Sequence, residues 1–236
     1  MNSAKRVHDW RRFWSDPSAS LNFGDRGQFL SDPEGPLGTS MNPALFRLET
    51  VMESPCLVLL GEPGIGKSTT VNQELNALER RLVAGVDVLL PVDLRDVGSD
   101  GRLCARIFED PKFLHWESGT HQLHLFIDSL DECLLRVDTV GQVLIEELQR
   151  RDRSRLKLRI ACRTAEWPKV LQVGLASLWP QNEIRYCELQ PLRVCDIEAA
   201  AVDLEVDTES FLREVIKRDA AGFAMRPVTL RALLRA

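Results

Sequence analysis

The segment Gly61-Glu62-Pro63-Gly64-Ile65-Gly66-Lys67-Ser68 most constrains the fold that this chain can adopt. It matches G-x-x-x-x-G-K-[ST] and stands between the apolar run 57–60 and a helical pattern, which is the context that this motif requires. Its glycines let the backbone curl so that several N–H groups point at a phosphate, and the N-terminus of the following helix adds partial positive charge. The segment therefore predicts a phosphate-binding loop.

Each residue type in such a loop has a task. Lys67 reaches the β and γ phosphates of a bound nucleotide, and the Ser68 hydroxyl ligates Mg²⁺. The glycine spacing does not fit G-x-G-x-x-G, so a dinucleotide fold is a poor competitor. We expect ATP or ADP with Mg²⁺ as the ligand, bound by Gly61, Glu62, Pro63, Gly64, Ile65, Gly66, Lys67, Ser68 and Thr69.

From about residue 44, short apolar runs alternate with amphipathic stretches, which is typical of a parallel sheet covered by helices on both faces. We predict an α/β fold, a P-loop NTPase with a five-stranded parallel sheet sandwiched by helices. The strands are expected near residues 56–60, 86–91, 123–128, 158–162 and 184–189. The intervening helices are expected near residues 67–82, 101–109, 137–150 and 167–177.

Beyond Pro191 the strand pattern stops, and three helical segments follow near residues 194–204, 208–220 and 226–235. These segments predict a small helical lid. The expected organisation is an N-terminal helix with an irregular lead-in at 1–49, a P-loop NTPase core at 50–190 and a partial helical lid at 191–236.

The N-terminal residues carry a pattern of their own. Val7, Trp10, Phe13 and Trp14 recur at helical spacing, which predicts a short helix over residues 1–14 with one apolar face. That face packs on the chain's own core, which is the interpretation we favour, or on a partner or missing segment. Residues 16–43 contain four prolines and four glycines and predict irregular structure.

A second chemical signal lies further along the chain, where an apolar run ends in Asp128 and continues as Ser129-Leu130-Asp131-Glu132. A carboxylate at the end of a strand beside the phosphate loop holds the Mg²⁺ shell, so we assign Asp128 with Ser68 to the metal. Water-attacking NTPases also need an acidic group that orients or deprotonates the water. We expect Asp131 or Glu132 in this role and prefer Glu132, with Asp131 nearer the metal. Taken alone, an acidic strand end also fits a turn or a helix cap.

The run Phe126-Ile127-Asp128-Ser129-Leu130-Asp131-Glu132 resembles the extended Walker B motif of the NACHT group, within the STAND class of signalling ATPases. In that motif a small residue follows the first Asp, and Asp-Glu comes three positions later. The phosphate loop is similar to that of the same group, and the resemblance covers residues 50–236. It implies a regulatory ATPase whose ATP state licenses oligomerisation of a larger protein. For a bacterial member it implies a role in innate immunity, such as defence against phage.

The resemblance implies two further site residues. Arg163 ends the next predicted strand, where NACHT proteins place a first sensor arginine near the γ phosphate; a surface arginine is the alternative. Pro227, in Met225-Arg226-Pro227-Val228-Thr229-Leu230, resembles the lid proline that packs against the adenine. A proline that merely favours the first turn of a helix is the alternative. NACHT proteins continue into a winged-helix region after the lid, so we expect this chain to be a fragment or a truncated member.

Composition limits the competing functions. The net charge of −5 gives no overall attraction to nucleic acid or anionic lipid, and no apolar run approaches the roughly 20 residues of a membrane-spanning helix. The six scattered cysteines, without a C-x-x-C pair, and the lack of a secretory signal predict a reducing cytoplasm. A basic cluster between Arg150 and Arg159 fits a solvated helix end or, as the weaker alternative, a patch for nucleic acid or a partner.

Three functions fit these residues. The leading one is a slowly hydrolysing regulatory ATPase, with Asp131, Glu132 and Arg163 as catalytic residues. The second is a nucleotide-gated scaffold that binds ATP tightly and hydrolyses it negligibly. The third is an AAA+ or helicase motor, against which the acidic charge and the lack of an aromatic and basic channel count. The expected partners are adenine nucleotide and further copies of the full-length protein, with neither membrane nor nucleic acid indicated. The sequence does not identify the trigger or the effector.

Overall fold

The computed structural model describes residues 10–83 and 86–235. They form two compact units. The first unit contains the described parts of Met1–Arg47, Gly64–Gly66 and Leu189–Ala236, and the second contains those of Leu48–Pro63 and Lys67–Glu188. Each unit has its own cluster of buried apolar side chains, which is what makes it compact.

Strands and helices alternate through most of the chain. The strands are β1 (Trp14–Ser15), β2 (Cys56–Leu60), β3 (Asp87–Asp93), β4 (Gln122–Asp128), β5 (Leu156–Cys162) and β6 (Ile184–Leu189). The helices are α1 (Gly38–Met41), α2 (Lys67–Glu79), α3 (Asp100–Ile107), α4 (Pro111–Ser118), α5 (Val137–Gln149), α6 (Lys169–Leu178), α7 (Val194–Asp203), α8 (Thr208–Lys217), α9 (Ala221–Ala224) and α10 (Pro227–Leu233). Short 3-10 turns cover Leu48–Thr50, Leu130–Glu132, Thr164–Glu166 and Gln181–Glu183.

The second unit is built on a parallel sheet with the strand order β6-β2-β5-β4-β3. Every residue of β2 is buried, as expected for a strand with neighbours on both sides and helices on both faces. Parallel pairing brings the C-terminal ends of the strands to one edge of the sheet. In register, Leu60 of β2 lies beside Cys162 of β5, and Asp93 of β3 lies beside Asp128 of β4.

Helix α5 shows how the helices of this unit are fixed. Its buried residues recur at spacings of three and four, so that one stripe of the helix faces the core; they are Val140, Gly141, Leu144 and Leu148. The opposite stripe is polar. No helix within residues 10–83 and 86–235 has the length and apolar character needed to cross a membrane.

The predicted α/β class with a largely parallel sheet is confirmed, but the strand count was wrong. Residues 10–83 and 86–235 contain six strands where the sequence predicted five, because the two-residue strand β1 was not expected. Strand β3 also runs on to Asp93, past the proposed end at Pro91. Pro91 is tolerated because β3 is the last strand in the order, and an edge strand can lose a backbone donor.

Helix α4 was not predicted, although its start is signalled in the sequence. The Asp110 side chain accepts a hydrogen bond from the Lys112 N–H at 2.8 Å, and Pro111 occupies the first helical position. Both features are typical of a helix N-terminus. The helix buries Phe113 and Trp116 in the core of the second unit.

The predicted N-terminal helix is not found in the part that the structure describes. Residues 1–9 lie outside the described residues, and residues 10–13 form neither helix nor strand before β1 begins at Trp14. Trp14 exchanges both backbone hydrogen bonds with Phe46, at 2.8 and 2.9 Å. These bonds take the place of those that a helix would form within the segment. The Phe13 and Trp14 side chains are nevertheless buried, so they pack on the chain itself and not on a partner.

The first unit also contains a buried ionic cluster around Arg193. Its guanidinium contacts Asp196 at 3.0 Å, Asp32 at 2.9 Å and Glu34 at 3.1 Å. It also lies over the Phe13 ring, 4.9 Å from the centroid. Burial alone would lower the pKa of Arg193, but its carboxylate partners outweigh that effect and raise it. The cluster joins the N-terminal segment to the start of α7.

The C-terminal helices differ from the prediction in number. Four helices, α7 to α10, stand where three were expected, because the short helix α9 lies between the predicted segments 208–220 and 226–235. Asp219 has a φ of 52°, in the left-handed region, which ends α8 before α9 begins. Aspartate is one of the few residues that accept this conformation readily.

We expect Leu158→Ala to lower the free energy of unfolding by about 2–5 kcal/mol, because the substitution leaves a cavity in a tightly packed core. Leu158 is fully buried in β5, between β2 and β4. Urea denaturation checks this. As the matched control, Leu134→Ala removes a side chain that is 74% exposed and should change the free energy by no more than about 0.5 kcal/mol. Equal effects would contradict the assignment of β5 to the interior.

Candidate functional site

The glycine-rich loop has the backbone that its sequence predicts. It follows β2 at Leu60 and ends where α2 begins at Lys67. Gly64 and Gly66 have φ values of +76° and +92°, which other residues adopt only with strain. Ser68 and Thr69 are exposed at the start of α2, and Glu62 and Pro63 are exposed in the loop. The free N-terminus of a helix beside such a loop is suited to bind a phosphate.

Pro227 lies against this loop within the first unit. A Cβ on Gly66 would stand 3.3 Å from the Pro227 Cγ, and one on Gly64 would stand 3.6 Å from the Val228 Cβ. Side chains at either glycine would therefore meet α10 as well as suffer backbone strain. Pro227 is also buried at the first position of α10, so both interpretations of this residue fit its placement.

Asp128 ends β4, and its carboxylate accepts a hydrogen bond from the Ser129 N–H at 2.8 Å. Burial raises the pKa of the Asp128 carboxyl above its ordinary value, against the opposing effects of the Ser129 N–H and of Lys67. Ser129 itself is buried with a φ of 61°, which is unusual for a residue with a side chain. Strained backbone of this kind concentrates at functional sites.

The two acidic residues after Asp128 are held by Arg163, at the end of β5. The Arg163 Nε lies 2.9 Å from Asp131 Oδ2, and its Nη2 donates to Glu132 Oε1 at 2.9 Å. The Arg163 backbone N–H donates to Asp131 Oδ1 at 2.9 Å. The Lys67 Nζ lies 4.0 Å from the same oxygen. Arg163 is thus placed among the predicted catalytic groups, and it is not an isolated surface arginine.

Asp131 and Glu132 face different surroundings. The Asp131 side chain is only 2% exposed, between Arg163 and Lys67, whereas that of Glu132 is 43% exposed. Glu132, not Asp131, lines a cavity of about 250 Å³ together with Ser68 and Asp128. This placement favours Glu132 as the group with room for a water molecule beside it. The expectation that Asp131 lies nearer to the metal stays a prediction.

Asp93 and Arg95 line the same cavity and were missed in the sequence. Asp93 lies beside Asp128 in the parallel pairing of β3 with β4, and Arg95 forms an ion pair with Asp93. The Arg95 guanidinium lowers the pKa of Asp93. An apolar run that ends in a carboxylate is the signal that identified Asp128. The same signal at Asp93 was missed because Pro91 was taken as the end of β3.

Ser68 and Asp128 are the residues that could hold Mg²⁺. The Ser68 hydroxyl hydrogen-bonds to the Asp128 carboxylate, so both oxygen donors lie together. A buried carboxylate with a raised pKa gains from a neighbouring cation, and Mg²⁺ is commonly bound by one or two carboxylates plus phosphate oxygens. Across the part of the chain that the structure describes, no group of three His, Cys, Asp or Glu side chains could hold a metal ion. The residues present therefore fit a metal that arrives with a nucleotide.

The basic cluster between Arg150 and Arg159 is largely engaged within the chain. Arg151 pairs with Glu147 and Glu117, and Lys157 pairs with Glu53. Arg159 was expected near a solvated helix end, but it is 1% exposed and donates to backbone carbonyls, including Pro55 O at 3.3 Å. Burial lowers its pKa to about 10. These contacts favour a structural role for the cluster over a patch for nucleic acid.

The sheet, the glycine-rich loop and the acidic strand end are consistent with a P-loop ATPase fold. No family model matches the chain, and no curated protein matches it. Among solved structures, it is similar to PCH-2 of C. elegans, with a TM-score of 0.36 and 14% sequence identity over 73% of this chain. The matched part spans 42% of the PCH-2 chain. A likeness this distant supports no conclusion about activity, substrates or partners.

We expect Asp128→Asn to raise the Tm of the protein at pH 7 without nucleotide or metal. The pKa of Asp128 is raised in the folded state, so ionising it costs stability as pH rises from the unfolded value of 3.8 through the folded one. Above both values the full cost is present, and the uncharged amide removes it. The gain over the wild type should shrink as pH falls toward 4. Thermal unfolding at several pH values measures this.

Asp131→Asn provides the contrast, because it removes a charge that is paired with Arg163. This variant should have a lower Tm than the wild type at pH 7. If Asp128→Asn lowers the Tm by as much as Asp131→Asn does, then Asp128 is a satisfied structural carboxylate whose ionisation does not cost stability.

Proposed function

We propose that this chain binds ATP or ADP with Mg²⁺ and hydrolyses ATP slowly. The observation that carries the proposal is the position of Arg163, within 2.9 Å of both Asp131 and Glu132. A phosphate loop alone indicates binding. Three acidic groups, a loop lysine and a strand-end arginine at one edge of a parallel sheet are the parts that ATP hydrolysis needs.

Each group has a role in this proposal. The loop amides and Lys67 bind the phosphates, and Ser68 with Asp128 holds the metal ion, which neutralises developing charge when bound. Glu132 orients the attacking water and accepts its proton. Arg163 contacts the γ phosphate and stabilises charge that grows on it. Pro227 packs against the adenine; its contact with Gly66 is what supports that placement.

The same contacts give a reason for slow turnover. In the structure, Arg163 neutralises Glu132, so a water-activating carboxylate and a phosphate-binding arginine are engaged with each other. Hydrolysis requires this ion pair to open, and the γ phosphate of ATP competes for the arginine. ADP has no γ phosphate and leaves the pair intact. The bound nucleotide thereby shifts the equilibrium between the closed and the open ion pair of Arg163 and Glu132.

We further propose that the chain is the nucleotide-binding part of a NACHT-type STAND protein. The support is the motif from Phe126 to Glu132 and the similar phosphate loop, and it is an argument from resemblance. In this proposal the ATP state licenses self-association of a longer protein, in innate immunity such as defence against phage. The trigger and the effector activity would come from other parts of that protein.

We expect Lys67→Ala to weaken ADP binding by about 10- to 100-fold, because it removes a charged hydrogen bond to phosphate. Calorimetry with MgADP measures this. Lys169→Ala removes an exposed lysine outside the loop and should leave the affinity unchanged. MgGDP should bind more weakly than MgADP to the wild type, since the chain has no guanine-reading Asn/Thr-Lys-x-Asp motif. Unchanged ADP affinity in Lys67→Ala would sink the phosphate-loop assignment.

The nucleotide-gated scaffold is the second candidate, and the Arg163–Glu132 ion pair also favours it, because a permanently paired Glu132 cannot activate water. We expect Glu132→Gln to slow hydrolysis by about 10²- to 10⁴-fold while ADP affinity stays nearly constant, since a general base acts mainly in the transition state. Single-turnover assays on the intact protein measure γ-phosphate release. Glu109→Gln, at an exposed glutamate, is the control.

Unchanged γ-phosphate release in Glu132→Gln would transfer the water-activating role to Asp131, which Asp131→Asn tests directly. If neither variant slows the reaction, the scaffold is the better account. A nucleic-acid motor requires a free basic surface, which the internal pairing of Arg151 and Lys157 disfavours. ATPase activity that rises on addition of single-stranded nucleic acid would restore that candidate.

A further inference from the structure

Arg12 is a buried arginine in the N-terminal segment, for which neither the phosphate-loop motif nor the acidic motif assigns a role. It is 9% exposed. Its Nη1 donates to the Ile65 carbonyl at 2.8 Å, and its Nη2 donates to the Gln190 carbonyl at 2.6 Å. Burial lowers its pKa to about 10, so it still carries a positive charge at neutral pH. Burying a charged group costs free energy, so a buried arginine indicates that its charge or its hydrogen bonds have a specific role.

The first of these contacts reaches into the phosphate loop. Ile65 stands between Gly64 and Gly66, whose left-handed backbone curls the loop. Since the amides of such a loop turn toward the phosphate, its carbonyls need partners elsewhere. Arg12 supplies one to Ile65. A Cβ on Gly66 would lie 3.0 Å from the Arg12 Nη1, so the guanidinium packs directly against the turn.

The second contact reaches the residue before the C-terminal helices. The Gln190 N–H donates to the Phe13 carbonyl at 2.9 Å, and its side-chain amide donates to the Ser15 hydroxyl at 3.0 Å. Arg12 is thus held on a segment whose following residues, Phe13 and Ser15, are hydrogen-bonded to Gln190. One planar guanidinium spans two carbonyls that lie far apart in sequence. A lysine carries the same charge as a single point and cannot bridge both in the same way.

We propose that Arg12 is a positioning residue of the nucleotide site, which fixes the phosphate loop through the Ile65 carbonyl and ties it to Gln190. This rests on the proposed nucleotide binding by the same loop. Arg12 does not contact the nucleotide in this proposal. It preorganises the loop, so that less ordering is required when phosphate binds, and it places a positive charge behind the loop.

The test compares Arg12→Lys and Arg12→Gln with Arg11→Lys in the whole chain. Arg11 is the matched control, because it is exposed and pairs with Glu34 rather than with the loop. Calorimetry should give an ADP affinity that is about tenfold or more weaker for Arg12→Gln, and an intermediate loss for Arg12→Lys. Stopped-flow release of a fluorescent ADP should become faster by a similar factor. Arg11→Lys should match the wild type in both.

Hydrogen exchange without nucleotide separates positioning from general stability. In Arg12→Lys, the amides of Ile65 and Gly66 should exchange faster, while those of β2 and β5 keep their wild-type rates. If the affinity per folded molecule and the loop exchange are both unchanged, or if loop and sheet amides speed up together, Arg12 is a structural residue and the inference is overturned.

Lys67→Ala distinguishes this failure from failure of nucleotide binding itself. If Lys67→Ala weakens ADP binding and the Arg12 variants do not, only the inference about Arg12 is wrong. If the wild type binds no ADP, the proposed function and the inference fall together. Should Arg12→Gln not fold, Arg12→Lys alone still decides between these outcomes.

Discussion

The order of strands in the parallel sheet determines which charged side chains meet at its C-terminal edge. Strand β5 lies between β2, which leads into the phosphate loop, and β4, which ends in Asp128. Arg163, the residue after β5, therefore lies close to Asp131 and Glu132, and its guanidinium pairs with both carboxylates. A sheet with β2 and β4 as direct neighbours would leave no strand end between them. The course of the backbone, rather than any single side chain, therefore decides which charged groups lie together.

At that edge of the sheet, a buried carboxylate and a strained residue both cost free energy in the folded state. Asp128 is buried with a raised pKa, and Ser129 is held in a left-handed conformation beside it. Neither feature stabilises the isolated chain. Burial disfavours the charged form of Asp128, and backbone strain of the kind seen at Ser129 concentrates at functional sites.

The sequence predicted the parts of the fold that depend on local pattern. Strands such as β2, with its unbroken apolar run, and the glycine turn that follows were recognisable because each local signal agreed with the tertiary role. The non-helical course of residues 10–14 was not recognisable, since backbone pairing of Trp14 with Phe46 overrides the helical spacing. Arg159 looked like a surface residue, and only the fold reveals the carbonyls that accept its hydrogen bonds. The roles of Asp93 and Arg12 were equally hidden, because both depend on neighbours that are remote in sequence.

The first unit draws its residues from both ends of the chain, and this affects the order in which the protein can be made. The second unit is nearly continuous from residue 48 to 188, so its sheet can form while the ribosome is still adding the remainder. The Arg193 cluster, and the hydrogen bonds of Gln190 to Phe13 and Ser15, require residues beyond 189. Such contacts close a very long loop and are expected to form late. During synthesis, Arg12 and Phe13 therefore remain without their hydrogen-bond partner Gln190 until that part of the chain has been added.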